Sequence, residues 1–299
     1  MKIDAHHHLW DLGKVNYPWL MDKGKMRFFG DPTDIQRNYL WQEYSQDAKS
    51  VGFQGSIHIQ VGASDPLEEA KWVDSVNRET QYWPIAQVAF TDLTKEGLPR
   101  NLDQLQELKT VRGIRQIVGR APEEDSLASV SKLLEHPNFL RGLSEISERG
   151  LTFDLQLIPE FMEIIALILK KVPNLNVALC HAGSPYNRTS AGLIDWSESL
   201  KNLSNLNNVY CKLSGLGMFE PNWSVDSIKP IVETVINQFG SERVMFGSNF
   251  PVDSISSDYT ELFNSYSSIL SKLSMKQQNE VFGLTAQKFY SLTEANTKD

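Results

Sequence analysis

The chain is written in short apolar runs that alternate with stretches of helical period. Eight runs read as strands: 2–8 (KIDAHHH), 55–61 (GSIHIQV), 84–90 (PIAQVAF), 111–118 (VRGIRQIV), 151–158 (LTFDLQLI), 176–182 (NVALCHA), 208–214 (NVYCKLS) and 243–249 (RVMFGSN). Such short, mostly apolar runs suit strands covered on both faces. Helix signals lie between them. Asp65 stands at a cap position, with Pro66 at the first helical position and Glu68 three residues after the cap. The segment from Pro159 places its acids early and ends in Lys170-Lys171, matching the helix dipole. Residues 224–240 have apolar positions at helical spacing and stop at Gly240. Pro230 inside that segment predicts a later start or a kink. Residues 275–292 predict one closing amphipathic helix.

Repeated strand–helix units imply parallel strands joined by crossovers. Eight such units in 299 residues predict an α/β fold of the (β/α)8 TIM-barrel type, a single domain over 1–299. An open doubly wound sheet is the second choice. It is weakened by the lack of a Gly-rich dinucleotide fingerprint after the first strand. Residues 11–34 show no clear period and several turn residues. They read as a long first βα loop and a candidate lid over a pocket.

Composition changes this picture little. The chain is 41% hydrophobic and 22% charged, with a formal net charge of −8. An acidic chain without a basic block argues against a nucleic-acid surface. The most apolar segment, FMEIIALIL, is too short to span a bilayer and carries Glu163. Cys180 and Cys211 each sit in an apolar run and read as buried free thiols. With no leader-like pattern, a cytoplasmic protein acting on a small molecule is expected, without nucleic acid or membrane as partner. Assembly into a homo-oligomer is left open.

Barrel enzymes carry their chemistry at the C-terminal ends of the strands. In an extended chain His6 and His8 share one face and His7 takes the other. Two imidazoles side by side suit a metal, or a water and a substrate oxygen. The other strand ends offer His58 and Gln60, Arg115, Asp154 and Gln156, His181, Lys212 and Ser214, and Asn249 followed by Asp253. Taken singly, each is more often a structural hydrogen-bonding residue. A ring of His, Arg, Lys, Asp, Gln and Asn at one rim is a site hypothesis. His136 reads as a surface helix end. Tyr17, Trp19, Tyr186 and Trp196 either stack on a substrate ring or pin loops.

The motifs IDAHHHLWD…YPWL, GIR, LCHAGSP, KLSGL and FGSNFPVD resemble the amidohydrolase superfamily. More narrowly they resemble its amidohydrolase-2 branch, which includes L-fucono-1,5-lactonase and related sugar-acid and muconolactone lactonases. The resemblance runs from the first strand to the eighth. It implies a (β/α)8 barrel and a hydrolase that opens a small lactone by water attack at the carbonyl. It also implies His6, His8 and His181 as pocket residues and metal ligands, with one divalent ion, zinc first, or metal-free chemistry. The superfamily's strand-8 aspartate is replaced here by Asn249, which cannot serve as a general base. The reading therefore gives catalytic roles to His181, Asn249 and Asp253. It gives substrate contacts to His58, Gln60, Arg115, Asp154, Lys212, Tyr186 and Arg188. The alternatives are a metal-dependent decarboxylase of the same wider branch and a non-catalytic metabolite-binding barrel.

Overall fold

The computed structural model describes residues 1–81 and 83–292. Eight strands follow one another around a single parallel sheet in chain order. They are β1 Lys2–His7, β2 Phe53–Ile59, β3 Ala86–Ala89, β4 Val111–Ile117, β5 Thr152–Gln156, β6 Val177–Leu179, β7 Val209–Leu213 and β8 Val244–Phe246. Helices alternate with them, giving a single-domain (β/α)8 barrel. All eight predicted strands are present. β6 and β8 stop three residues short of the predicted ends, leaving His181 in a short 3-10 turn and Asn249 in the loop after β8.

The side chains alternate as the pleat requires. Ile3, Ala5, Ile57, Ile59, Ala86, Val88, Ala178, Tyr210 and Met245 fill the barrel interior with Phe289 and Tyr290 from the C-terminal helix. The intervening residues pack against the surrounding helices. This inner set is apolar on one side of the barrel and becomes charged towards the strand ends.

Helix chemistry follows the expected caps. The Asp65 side chain accepts from Leu67 and Glu68 N–H, opening the helix Pro66–Glu79. The helix Val225–Phe239 differs from expectation: it starts at once, on a reciprocal Ser224/Ser227 capping box, and runs through Pro230. The single closing helix is also corrected. It breaks into Met275–Asn279 and Thr285–Phe289 around a wide turn at Glu280–Leu284. Gly283 is the cause: a Cβ there would stand 2.1 Å from the Met1 carbonyl oxygen, so the chain passes too closely for any side chain. Cys180 and Cys211 are buried and unbonded. Among the described residues no helix is long and apolar enough to cross a membrane.

One local feature of β1 decides where its histidines go. Ile3 and Ala5 face the interior, so simple alternation would send His7 inward. The β1–β2 pairing slips between Asp4 and His7, and this slip resets the parity. His7 instead stacks on Tyr44 of the helix Trp41–Ser50, ring centroids 3.9 Å apart. Asp4 holds the irregular backbone. Its Oδ1 accepts from His6 N–H at 3.1 Å and Ser248 N–H at 2.9 Å. Its Oδ2 accepts from the Tyr44 and Tyr259 hydroxyls at 3.0 and 2.9 Å. Burial pushes the Asp4 carboxyl above its ordinary range, and hydrogen bonds from Ser248, His6 and Tyr259 pull against that shift.

Removing this carboxylate leaves four buried donors without a partner. Asp4→Ala is expected to destabilise the fold by on the order of 4 kcal/mol. Asp4→Asn keeps an acceptor and should lose less. The midpoint of urea unfolding reads both; a loss below about 1 kcal/mol for the alanine variant would contradict the assignment.

Candidate active site

The C-terminal strand ends form the floor of a cavity of about 320 Å³. His8, Arg115, Gln156, His181 and Asn249 supply its polar side. Pro18, Trp19, Phe28, Phe29, Val61, Ile117, Met218 and Val252 supply the apolar wall. Four of those wall residues belong to the 11–34 segment, which stands over the strand ends.

His181 leaves the strand path through a run of left-handed backbone. His181, Ala182, Gly183 and Ser184 have φ of 54°, 52°, 70° and 54°. For residues with a Cβ this conformation is strained, and surrounding contacts must hold it. Trp196 Nε1 donates to the Ala182 carbonyl at 2.8 Å, and Ser184 N–H donates to the His181 carbonyl at 2.9 Å. His181 Nδ1 lies 3.0 Å from Ser214 Oγ. Gly215 makes room for the ring: a Cβ there would lie 2.4 Å from His181 Nδ1. Burial, and then the positive charge of Arg115, lower the His181 pKa well below 6.5, while a backbone hydrogen bond to Ser214 favours the proton. The ring is therefore neutral near pH 7. With Nδ1–H directed at Ser214, the Nε2 lone pair is open to the cavity.

His8 is neutral for a similar reason. Burial first, then Arg115, lower its pKa to about 3. Its Nδ1 lies 2.7 Å from the Ile59 carbonyl, which can only accept, so Nδ1 carries the proton. Nε2 then presents a lone pair 3.3 Å from Asn249 Oδ1. Asn249 is oriented by its Nδ2, which donates to Asp253 Oδ1 at 2.8 Å. Its backbone takes φ 56°, a value that asparagine tolerates well, and its N–H donates to the His6 carbonyl at 2.7 Å. Two acceptors thus face each other across the floor, ready for a donor or cation that neither protein group supplies.

Arg115 is the cation of the floor. Nη1 donates to the Gln60 carbonyl at 3.0 Å and Nη2 to Gln156 Oε1 at 2.5 Å. Nε is buried and has no partner. No carboxylate forms a salt bridge with Arg115 among the described residues. Two further arginines on the lining, which the sequence did not single out, are paired with carboxylates. Arg27 is doubly bonded to Glu124 at 2.8 and 3.1 Å. Arg120 is doubly bonded to Asp125 at 2.8 and 2.7 Å.

Several expected substrate contacts lie elsewhere. Asp154 and Lys212 are fully buried and paired with each other, one barrel layer beneath Gln156 and Ser214. Lys212 Nζ also donates to the Ala5 carbonyl at 2.8 Å, and the Tyr290 hydroxyl meets both Asp154 oxygens at 2.9 and 3.0 Å. Opposite charges buried at this depth satisfy one another rather than a ligand. His58 and Gln60 do share a face, but Ile57 and Ile59 take the inner one. His58 Nδ1 accepts from Leu9 N–H at 3.2 Å, and its Nε2 faces Glu69 at 3.7 Å. Gln60 Oε1 caps Gly62 N–H at 2.9 Å. Tyr186 bonds to Glu160, and Arg188 donates to the Leu216 carbonyl at 2.8 Å. Asp253 sits behind Asn249, where burial raises its pKa to about 7. Of the aromatic candidates, Trp19 faces the cavity, whereas Tyr17 and Trp196 are buried loop anchors. His136 caps the helix Pro137–Glu148.

The three expected metal ligands are neighbours. The His6 ring centroid is 5.2 Å from that of His8 and 4.6 Å from that of His181. Both His6 nitrogens are buried without a partner. Neutral imidazoles with free lone pairs are fit in kind for a divalent ion. Among the described residues, however, no three His, Cys, Asp or Glu side chains are spaced so as to hold one. The ligand set read from the sequence is thus assembled in composition but not closed in geometry, and the oxygen donor at Asn249 carries no charge.

The comparisons agree with this architecture. The protein y4mH of Sinorhizobium fredii is 34% identical over 291 residues, spanning 96% of this chain and 97% of that protein. L-fucono-1,5-lactonase of Burkholderia multivorans is 24% identical over 306 residues, spanning 98% and 97%. A crystal structure of an amidohydrolase from Burkholderia multivorans with bound zinc superposes with a TM-score of 0.83 at 22% identity, covering 98% of this chain and 100% of that one. The amidohydrolase family model Amidohydro_2 matches residues 3–292, and the chain belongs to that family.

Proposed function

We propose that this amidohydrolase-family protein is a lactonase, opening a small ring ester by attack of water at the carbonyl. The observation that carries the reading is the pairing on one floor of a buried, carboxylate-free Arg115 with a neutral His181 whose Nε2 faces the same space. Hydrolysis turns a neutral carbonyl into an oxyanion and then a carboxylate, which is the charge Arg115 lacks. The lactonase relative supports the same reading at low identity.

In this mechanism the carbonyl oxygen sits against Arg115. His181 Nε2 accepts a proton from the attacking water. Asn249 Oδ1 and His8 Nε2 orient that water by accepting its other hydrogen. The water oxygen bonds to the carbonyl carbon, and the negative charge passes to the carbonyl oxygen beside Arg115. Collapse breaks the ring C–O bond, and protonated His181 returns its proton to the leaving ring oxygen. The product is an open-chain hydroxy acid. The zinc-bound relative supports a divalent ion here; His6, His8 and His181 are the side chains of the right kind to hold it, although their spacing does not close around one, and when bound it would polarise the carbonyl. None of the steps above depends on it.

Asp253 acts behind Asn249. Ionised, it takes the amide N–H and turns Oδ1 to the cavity; protonated, it can donate to the amide oxygen and let the amide reverse. Its carboxyl is raised to about 7. The unfolded chain would lose that proton near pH 4, so the stabilisation is fully present below about 4. It is lost as pH rises through about 7.

Three outcomes are expected. His181→Asn should lower kcat/KM for lactone hydrolysis by about 10²–10⁴. Arg115→Met should lower it by about 10²–10³, mainly in kcat; near-normal turnover in either variant would remove its role. Asp253→Asn should abolish a stability decline on the order of 4 kcal/mol between about pH 4 and 7. Thermal melting across that range reads it, and a parallel decline in both proteins would exclude Asp253 as its source.

A further inference from the structure

We infer that the ring carried by the substrate is apolar, an aryl-fused or alkyl-substituted lactone rather than a polyhydroxylated sugar lactone. This rests on the lactonase reading and narrows its substrate class. The cavity is divided by chemistry. The uncharged polar side chains of the lining and Arg115 lie on the strand-end floor, where the reacting ester must sit, and the other two lining arginines, Arg27 and Arg120, are paired with carboxylates. The wall around the rest of the ring is built from Trp19, Phe28, Phe29, Ile117, Met218 and Val252.

Most polar atoms that border this wall are already engaged, the Nη1 groups of Arg27 and Arg120 excepted. Trp19 Nε1 donates to the Val61 carbonyl at 2.7 Å, so its indole presents only a hydrocarbon face. The guanidinium of Arg27 is held by Glu124 at 2.8 Å and lies 5.6 Å from the Trp19 ring centroid. Arg120 is held by Asp125 at 2.7 Å. Among the described residues no Ser, Thr, Asp, Glu or Tyr side chain lines the cavity. A sugar lactone would bring several ring hydroxyls against this surface. Each one buried without a partner costs about ten-fold in affinity, whereas an aryl or alkyl body gains by leaving water. Aromatic side chains also offer flat faces to a flat ring.

The test compares dihydrocoumarin and δ-nonalactone with L-fucono-1,5-lactone and D-glucono-1,5-lactone. The expected result is a kcat/KM at least about ten-fold higher for the first pair. Equal or reversed preference overturns the inference while leaving the lactonase reading intact. If none of the four is turned over, the lactonase reading fails, and calorimetry with 3-phenylpropionate and gluconate still decides the inference. Tighter binding of 3-phenylpropionate supports it, and equal or tighter binding of gluconate overturns it. Phe28→Asn should narrow the preference several-fold with an unchanged melting temperature, since it adds a partner for a hydroxyl to the wall. An unmoved preference in a folded variant would also overturn the assignment of the wall.

Discussion

The geometry of the site depends on one buried carboxylate. Asp4 satisfies the backbone where β1 slips its register, and that slip is what lets His6 and His8 both enter the barrel. The same oxygen that receives His6 N–H receives Ser248 N–H from beyond β8. The seam between the first and last strands is thus closed at the catalytic end by a side chain in place of a regular ladder. The closure continues with Asn249 N–H on the His6 carbonyl and His8 N–H on the Phe250 carbonyl. His8 and Asn249, which face each other across the floor, are therefore set by one hydrogen-bonded joint.

Electrostatics explains the protonation of the floor. Asp154, Lys212 and Tyr290 form a buried, mutually hydrogen-bonded layer. Arg115 lies above it without a carboxylate of its own. In this field imidazolium is doubly disfavoured: burial removes its water, and the cations of Arg115 and Lys212 repel it. The result is a set of neutral rings with available lone pairs beside one uncompensated positive charge. That combination suits the proton acceptance and charge stabilisation of the proposed function, with Asp253 engaged on Asn249.

Much of this was legible in the sequence. The eight strands could be read because strands covered on both faces leave continuous apolar runs, and the clustering of polar residues at their ends marked the floor. His7 turns away from His6 and His8 in the structure, yet counting from Ile3 would send it inward, because a slipped register has no signature in hydrophobic period. For β2 the period gave the shared face of His58 and Gln60 but not its side; Ile57 and Ile59 held that information, since an apolar pair at alternate positions takes the interior. Depth was also hidden. Asp154 and Lys212 differ from Gln156 and Ser214 by one pleat, enough to move them from the floor to the layer beneath. The Arg27–Glu124 and Arg120–Asp125 pairs join loop residues, where no periodicity applies.

The division of labour in the cavity follows from how each part is held. His181 occupies a strained turn because Trp196, Ser214 and the absent side chain of Gly215 leave it no alternative. Its neighbours on the floor are fixed by strand ends and by backbone hydrogen bonds, so small changes there disturb several reacting groups together. The aromatic wall comes largely from the 11–34 segment, which is tied to the barrel by hydrogen bonds from Trp19 to Val61 and from Arg27 to Glu124 and by the burial of Val15, Tyr17, Leu20 and Phe29 in the core. On the proposed function, substitution in that segment would alter which ring is admitted while the polar floor stays in place. The apolar side chains of the covering segment serve both fold and cavity: Val15, Tyr17 and Leu20 are buried in the core, Trp19 and Phe28 line the cavity, and Phe29 does both.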